Sequence, residues 1–359
     1  MTEQDFVLKS YKPSVEKGSV KWSSPSNIAL VKYWGKKKNQ IPENPSISFT
    51  LNDCKTVTEL SFTLKNEDKI SFDIYFEGER SESFRPKIET FFERIAPYVP
   101  FIKSYHFKIE TTNTFPHSSG IASSASGMSA LAMCIMSLEK QLIPEMTDAY
   151  FNRKASFLAR LGSGSACRSI EGDLVVWGTH KNVEKSSDLY GVKLEQELHD
   201  VFKDYQDTIL LVDEGEKQVS STVGHNLMHG HPFAAQRFKQ AHSNLDELLN
   251  ILKTGELDKF IAIVESEALT LHAMMMTSAP YYILMKPNTL KIINTIWEFR
   301  AKTGSKVCFT LDAGANVHVL YPKSEKAKVY EFIKTQLVAY CQNGAYICDA
   351  VGLGAKQLH

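Results

Sequence analysis

The sequence has no Cys-x-x-Cys pair and no regular cysteine spacing; its six cysteines, Cys54, Cys134, Cys167, Cys308, Cys341 and Cys348, are scattered along 359 residues. That argues against a small disulfide-stapled fold and for buried thiols in a reducing compartment. Net charge is also missing: Lys plus Arg and Asp plus Glu are 41 each. No global field draws the protein to nucleic acid or to anionic lipid, so an anion site must be local. No apolar run approaches the length of a bilayer span. The first residues, MTEQDFVLKS, carry no apolar segment of the secretory type, so a cytoplasmic protein is expected. Internal repeats and low-complexity linkers are absent too.

What is present is a globular composition, 43% hydrophobic and 23% charged, in a chain long enough for two domains. β-Branched and aromatic runs predict strands at 20–24, 27–33, 46–51, 56–63, 70–76, 105–112 and 174–177. Helical spacing marks 86–95, 123–142 and 148–161. Later, 208–212 reads as a buried strand, followed by helices at 234–253, 257–272 and 289–303. Strands at 306–311 and 316–321, a helix at 325–341 and a strand at 345–349 complete the chain. This mixed order predicts an α+β fold and not a doubly wound sheet. The expected division is a domain of 1–200 and a domain of 201–359.

Four segments carry candidate chemistry. Residues 113–127, NTFPHSSGIASSASG, place a glycine turn at Gly120 before a helix that begins at Ser123 and Ser124. A helix start offers unpaired N–H groups and partial positive charge to a phosphate. The terminal Gly-Lys-Ser/Thr of a Walker A loop is missing, and an ordinary N-capped helix fits the local chemistry equally well. Residues 27–36, NIALVKYWGK, put Lys32 and Tyr33 on opposite faces of an extended stretch. A lysine inside an apolar strand is costly to bury without an anion, although a strand ending in a solvated basic loop is the plainer reading. Residues 162–169, GSGSACRS, set Arg168 after a glycine–serine turn, where its fork suits a carboxylate or phosphate; pairing with Glu171 or Asp173 is the alternative. Residues 309–316, FTLDAGAN, leave Asp312 at the end of an apolar strand. That position suits a catalytic base and is also common turn chemistry.

The wording and order of these segments resemble the diphosphomevalonate decarboxylases of the GHMP-kinase superfamily. Residues 116–125 resemble the superfamily's phosphate loop; 27–36, 162–169 and 309–316 resemble the decarboxylases' own signatures, as do, more weakly, 220–224 and 351–354. The resemblance implies the GHMP-kinase fold, two α/β-sandwich-like domains with the active site in the cleft between them. It implies ATP and Mg²⁺ as cofactors and a phosphorylated mevalonate as substrate. Asp312, Lys32 and Arg168 would be catalytic. Asn27, Tyr33, Lys36, Lys87, Ser165 and His225 would bind substrate. Pro116, Ser119, Gly120, Ala122, Ser123 and Ser124 would bind the ATP phosphates, with Mg²⁺ near Ser123 or Ser124 and no dedicated protein site for it. A homodimer is implied as well.

The sequence departs from the family pattern at His225, where methionine is usual, at Ala315 for proline, at His117 for threonine, and at Lys87 for arginine. These keep a phosphomevalonate decarboxylase open as a rival, followed by a kinase that stops at the phosphorylated alcohol and a silent sensor. His225, His229 and His231 lack an acidic or cysteine partner in sequence, so no metal site is expected there. Met274, Met275 and Met276 read as core.

Overall fold

The computed structural model describes residues 1–8, 10–11, 14–116, 121–213, 215 and 221–358. Two sheets organise it. The strands of the first half are β1 (Lys17–Val31), β2 (Ser46–Leu64), β3 (Ser71–Phe76), β4 (Glu79–Arg80), β5 (Tyr105–Asn113), β6 (Leu174–Trp177) and β7 (Gly191–Lys193). Those of the second half are β8 (Gln206–Leu210), β9 (Cys308–Thr310), β10 (Val317–Tyr321), β11 (Tyr346–Ala350) and β12 (Lys356–Leu358). The helices are α1 (Arg85–Ile95), α2 (Ser123–Leu142), α3 (Asp148–Gly162), α4 (Ser221–Asn226), α5 (Ala234–Thr254), α6 (Leu257–Met276), α7 (Pro287–Thr303) and α8 (Lys326–Phe332).

The first sheet runs β12-β1-β2-β5-β3-β4, with β6 on the other end of β2 and β7 beside it. Its pairs are antiparallel except β3 with β5. The second sheet is β11-β8-β10-β9, antiparallel throughout. Strand β12 returns to pair with β1, so the chain's last strand belongs to the first sheet.

Apolar faces dictate the layers. Phe62, Phe107 and Ile109 of the first sheet meet Phe91 and Phe92 of α1, Leu131 and Ile135 of α2, and Phe157 and Leu158 of α3 in one core. Val317, Val319 and Phe309 of the second sheet pack on Ile292 and Ile296 of α7 and on Val329 and Phe332 of α8. Between the sheets, Ile28, Leu30, Ile47 and Phe49 meet Ile209, Leu245, Leu248 and Val264. Burying each such side chain contributes about 1.5–3 kcal/mol, so this central core binds the two halves over the site described below.

Three predicted elements differ in detail. The strands expected at 46–51 and 56–63 are one strand, β2, because the Asp349 carboxylate accepts the N–H groups of Asn52, Asp53 and Cys54 at 2.8, 2.9 and 2.7 Å. Those bonds carry the strand across a turn-forming stretch. The helix expected at 325–341 is α8 followed by a π-turn at Ile333–Leu337 and a 3-10 turn at Val338–Tyr340, with Val329, Ile333 and Leu337 still facing the core. The strands expected at 20–24 and 27–33 are likewise one strand, β1, which stops at Val31, so Lys32 and Tyr33 are not on opposite faces of a strand. Five cysteines are buried and Cys348 is exposed; Met274 and Met275 are core, while Met276 is 41% exposed. Among the described residues no helix is long and apolar enough to cross a membrane.

Candidate active site

A cleft of about 630 Å³ opens between the halves, lined by Lys32, Tyr33, Lys36, Lys87, Ala122, Ser123, Ser124, Ser165, Arg168, His225 and Asp312. Eleven of the predicted site residues thus converge on one cavity from six places in the chain. Asn27 stands behind it. Its amide donates to the Ser165 carbonyl (3.2 Å) and Ser169 Oγ (2.8 Å), and its Oδ1 accepts from Arg168 Nε (3.3 Å). Pro116 is exposed at the end of a described segment, and Ser119, Gly120, His117 and Ser220 lie outside the described residues.

At the floor, Lys32 Nζ lies 3.0 Å from Asp312 Oδ1. Lys32 is 1% exposed and the Asp312 side chain 31%, so the carboxylate reaches the cleft while the ammonium backs it. Burial pushes the Lys32 ammonium down from the ordinary lysine range, against the pull of Asp312 and Glu267.

Arg168 comes from the 3-10 turn Gly164–Ser169 and is 3% exposed. Its partners are neutral: Asn27 Oδ1, Ser46 Oγ through Nη1, and the Trp177 ring 5.9 Å from its Cζ. It forms no salt bridge among the described residues, and the predicted alternative partner Asp173 faces Lys193 instead, at 3.6 Å. A buried guanidinium without a counter-ion is expensive unless an anion joins it. Burial lowers its pKa, but an arginine keeps its proton.

The aromatic wall is built on Tyr33, Trp34 and Trp177. The Tyr33 ring lies 4.6 Å from Trp177 and 4.2 Å from His225. Its buried hydroxyl has no hydrogen-bond partner among the described residues, and burial raises its pKa. His225 Nδ1 accepts the Gly35 N–H at 3.0 Å. A backbone N–H can only donate, so the ring's proton sits on Nε2. Burial, with Lys36 and Arg168 nearby, holds the imidazole down to about 3, so it is neutral at working pH. His231 is occupied with the Met274 carbonyl and the Phe233 N–H, each 3.1 Å away. Among the described residues no cluster of His, Cys, Asp and Glu could hold a metal ion.

The remaining wall is cationic. Lys87, Thr90 and Arg94 follow each other at helical spacing along one face of α1. Thr90, Arg94 and Gln40 are lining residues that sequence reasoning missed; the 3.6-residue period of the predicted helix already put Arg94 on the face of Lys87. Arg94 is anchored on the Leu161 carbonyl at 2.9 Å, and Lys36 is pushed down by burial and by Arg94.

Lys87 Nζ donates to Ser124 Oγ at 2.7 Å, at the start of α2. Ala122 caps that start in the left-handed region, φ 47°, a conformation a side chain rarely adopts without a constraint. Beside it a second pocket of about 220 Å³ shares Lys87, Ser123 and Ser124 with the cleft and is otherwise lined by residues such as Ile74, Phe76, Ile109, Met128 and Thr111. An apolar slot joined to a helix N-terminus and a lysine fits a nucleotide, base in the slot and phosphates at the helix.

Residues 24–188 match the family described as diphosphomevalonate decarboxylase-like N-terminal domain, and 208–351 match the mevalonate 5-diphosphate decarboxylase C-terminal domain. The diphosphomevalonate decarboxylase of Gibberella zeae is 30% identical over 325 residues, covering 84% of this chain and 81% of its own. The structure of mevalonate diphosphate decarboxylase from Staphylococcus aureus is similar at a TM-score of 0.81 and 27% identity, over 96% of this chain and 98% of that one. The structure of MDDEF in complex with MVAPP, AMPPCP and magnesium is similar at 0.81 and 27%, over 96% and 99%. The resemblance carried by four short segments therefore extends over both halves and both sheets, and the chain belongs to the diphosphomevalonate decarboxylase family of the GHMP-kinase superfamily.

Proposed function

We propose that this protein converts mevalonate 5-diphosphate and ATP to isopentenyl diphosphate, ADP, phosphate and CO₂. The observation that carries the reading is the buried Arg168, which forms no salt bridge among the described residues, in the cleft that holds the Lys32–Asp312 pair. Bound ATP, with Mg²⁺, supplies the phosphoryl group that turns the substrate's tertiary 3-hydroxyl into a leaving group.

Asp312 accepts the proton of that hydroxyl, as a positioned base does. Lys32 keeps the carboxylate ionised and stabilises negative charge in the transfer. Arg168 grips the substrate carboxylate that departs as CO₂. That carboxylate loses its charge in the reaction, so the grip's value lies in alignment and not in transition-state charge. Lys36 and Arg94 face the substrate's phosphates, Tyr33 O–H and His225 Nε2–H are neutral donors beside them, and Ser165 completes that wall. Lys87, Ser123 and Ser124 take the nucleotide phosphates, with Mg²⁺ near the two serines; Pro116, Ser119, Gly120 and Ala122 belong to the same loop.

The division into residues 1–200 and 201–359 is supported by the sheets: β1 to β7 precede residue 200 and β8 to β11 follow it. We further propose a cytoplasmic homodimer, as the resemblance implies; sedimentation of the purified protein reads the assembly directly.

Lys87 turned toward Ser124 leaves the distal substrate phosphate to Lys36 and Arg94, which favours a test of the monophosphate as a second substrate. The purified protein is incubated with ATP, Mg²⁺ and either mevalonate 5-diphosphate or mevalonate 5-phosphate, and CO₂ and ADP are measured. Equal CO₂ and ADP from the diphosphate is the expected result. Preference for the monophosphate favours the second reading. ADP without CO₂, or neither product from folded protein, overturns the assignment.

A further inference from the structure

Strand β1 ends at Val31, so the sheet supplies no further partners to the peptide of Lys32. Its backbone is nevertheless fully satisfied, by side chains from far away. Glu267 Oε2, on α6, accepts the Lys32 N–H at 2.8 Å. The Lys32 carbonyl accepts from Arg237 Nη2 of α5 at 3.1 Å and from Asn44 Nδ2 at 2.9 Å. Glu267 is itself held by Arg237 through two bonds of 2.9 and 2.6 Å and by Asn244 at 2.6 Å, and neither member of the Arg237–Glu267 pair is exposed to any degree. A buried ion pair adds little net stability over apolar residues of the same volume. Here each member of the pair also bonds the backbone of one residue, Lys32.

The other member of the Lys32–Asp312 pair is held from the same helix. His272 of α6, 1% exposed, lies with Nε2 3.1 Å from the Asp312 carbonyl. A carbonyl can only accept, so Nε2 carries the proton. The same carbonyl accepts the Gly314 N–H at 2.8 Å, which closes the turn after β9. Residues 267 and 272 are five apart, about 7.5 Å along a rigid helix.

We propose that α6 is a yoke that sets the distance between Lys32 and Asp312, with Glu267 and His272 as positioning residues gripping the backbone of each. The proposal rests on the reaction assigned above, in which that distance decides the rate. Neither residue is among those that line the cleft. Loosening either end displaces one partner by a fraction of an ångström to an ångström, a shift that costs up to about 100-fold in rate.

Three variants test it, through kinetics with both substrates and through crystal structures. His272→Leu removes the donor and keeps the volume. His272→Gln places an amide N–H where Nε2–H was. Glu267→Asp keeps the charge opposite Arg237 and shortens the reach to Lys32. In His272→Leu and Glu267→Asp, kcat is expected to fall about 10- to 100-fold while both KM values stay within about threefold. The Lys32 Nζ–Asp312 Oδ1 separation is expected to open beyond 3.0 Å. His272→Gln is expected to recover most of the rate and the short separation. Unchanged kcat and separation in either His272→Leu or Glu267→Asp overturns the yoke, as does a loss in His272→Leu that His272→Gln does not recover. The separation is read in crystals whether or not the protein turns over. Inactivity of the wild type would therefore sink the reaction assignment, while the distance still judges the yoke.

Discussion

Nζ of Lys32 and Oδ1 of Asp312 meet at 3.0 Å across 280 residues of chain. The two ends of the pair differ in solvation, the ammonium being buried and the carboxylate a third exposed, and that asymmetry governs what each substitution does. Asp312→Asn leaves a buried ammonium facing an amide, so it costs about 1–3 kcal/mol of stability as well as at least about 100-fold in kcat. Lys32→Met leaves a carboxylate that water still reaches. It keeps the fold nearly at wild-type stability and loses a comparable factor in kcat. Thermal melts beside steady-state kinetics check both. A Lys32→Met protein as destabilised as Asp312→Asn contradicts the asymmetry.

Much of this pair is legible in the sequence alone. A lysine in an apolar stretch demands an anion, and an aspartate at a strand end before a glycine turn is a candidate for it. Their juxtaposition is not legible there, because it depends on α6, which packs on both β1 and β9 and so brings positions 32 and 312 together. Arg168 is legible as a fork for an anion, but its lack of a salt-bridge partner depends on Asn27 and Ser46, which reach it through the first sheet. Arg94 is available from the helical period of 86–95. The grip of Glu267 and His272 on the catalytic pair carries no local signal, since the groups they hold there are backbone atoms 235 and 40 residues away. The false break at 52–55 in β2 has the same origin, a carboxylate supplied by Asp349 from the other end of the chain.

The proposed function divides the cationic face of α1 by ligand. Lys87 is turned to Ser124 at the start of α2, at 2.7 Å, whereas Arg94 is fixed by the Leu161 carbonyl on the side of Lys36. Lys87→Met is therefore expected to raise KM for ATP about tenfold and leave KM for the phosphorylated mevalonate nearly unchanged; Arg94→Gln is expected to do the reverse. A charge-assisted hydrogen bond worth about 1.5–3 kcal/mol sets the scale. If both variants raise the same KM, the division is wrong.

Two buried histidines make folding sensitive to acid. His225 is held down to about 3 and His272 to about 4, in both cases chiefly because burial disfavours the charged ring. An unfolded histidine titrates near 6.5. Above that pH both states are neutral and neither residue contributes. As pH falls below it, the unfolded chain takes up protons that the native protein refuses, so stability drops by about 1.4 kcal/mol per pH unit for each residue. At pH 5 each is expected to cost about 2 kcal/mol relative to pH 8. His272→Gln removes one of the two histidines, so its denaturation free energy falls less between pH 8 and pH 5 than that of the wild type. Equal falls in the two proteins mean that His272 is not the source.

Packing in the cleft is tight at Gly164, where a Cβ would stand 2.8 Å from Trp177 Cη2 and 2.9 Å from the Tyr33 hydroxyl. Trp177 is fully buried, with its indole N–H held by the Asp188 carbonyl at 2.9 Å, so Tyr33 is the partner that must move. Gly164→Ala is expected to cost about 1–3 kcal/mol of stability, the usual penalty of overpacking, and to raise KM for the phosphorylated substrate by displacing the tyrosine. Tyr33→Phe separates the two effects. Its hydroxyl is buried without a hydrogen-bond partner among the described residues, so deleting it is expected to leave stability unchanged or raise it by about 1 kcal/mol, while KM for the substrate rises about tenfold. Because the hydroxyl is one of the two groups the new methyl meets, Tyr33→Phe should also relieve part of the Gly164→Ala penalty. The double variant is then more stable than the sum of the singles. Denaturant melts of the wild type, the two singles and the double measure that coupling. Additivity would locate the strain on Trp177 and the Tyr33 ring carbons and not on the hydroxyl, and a loss of stability in Tyr33→Phe would mean that the hydroxyl serves the fold and not the substrate.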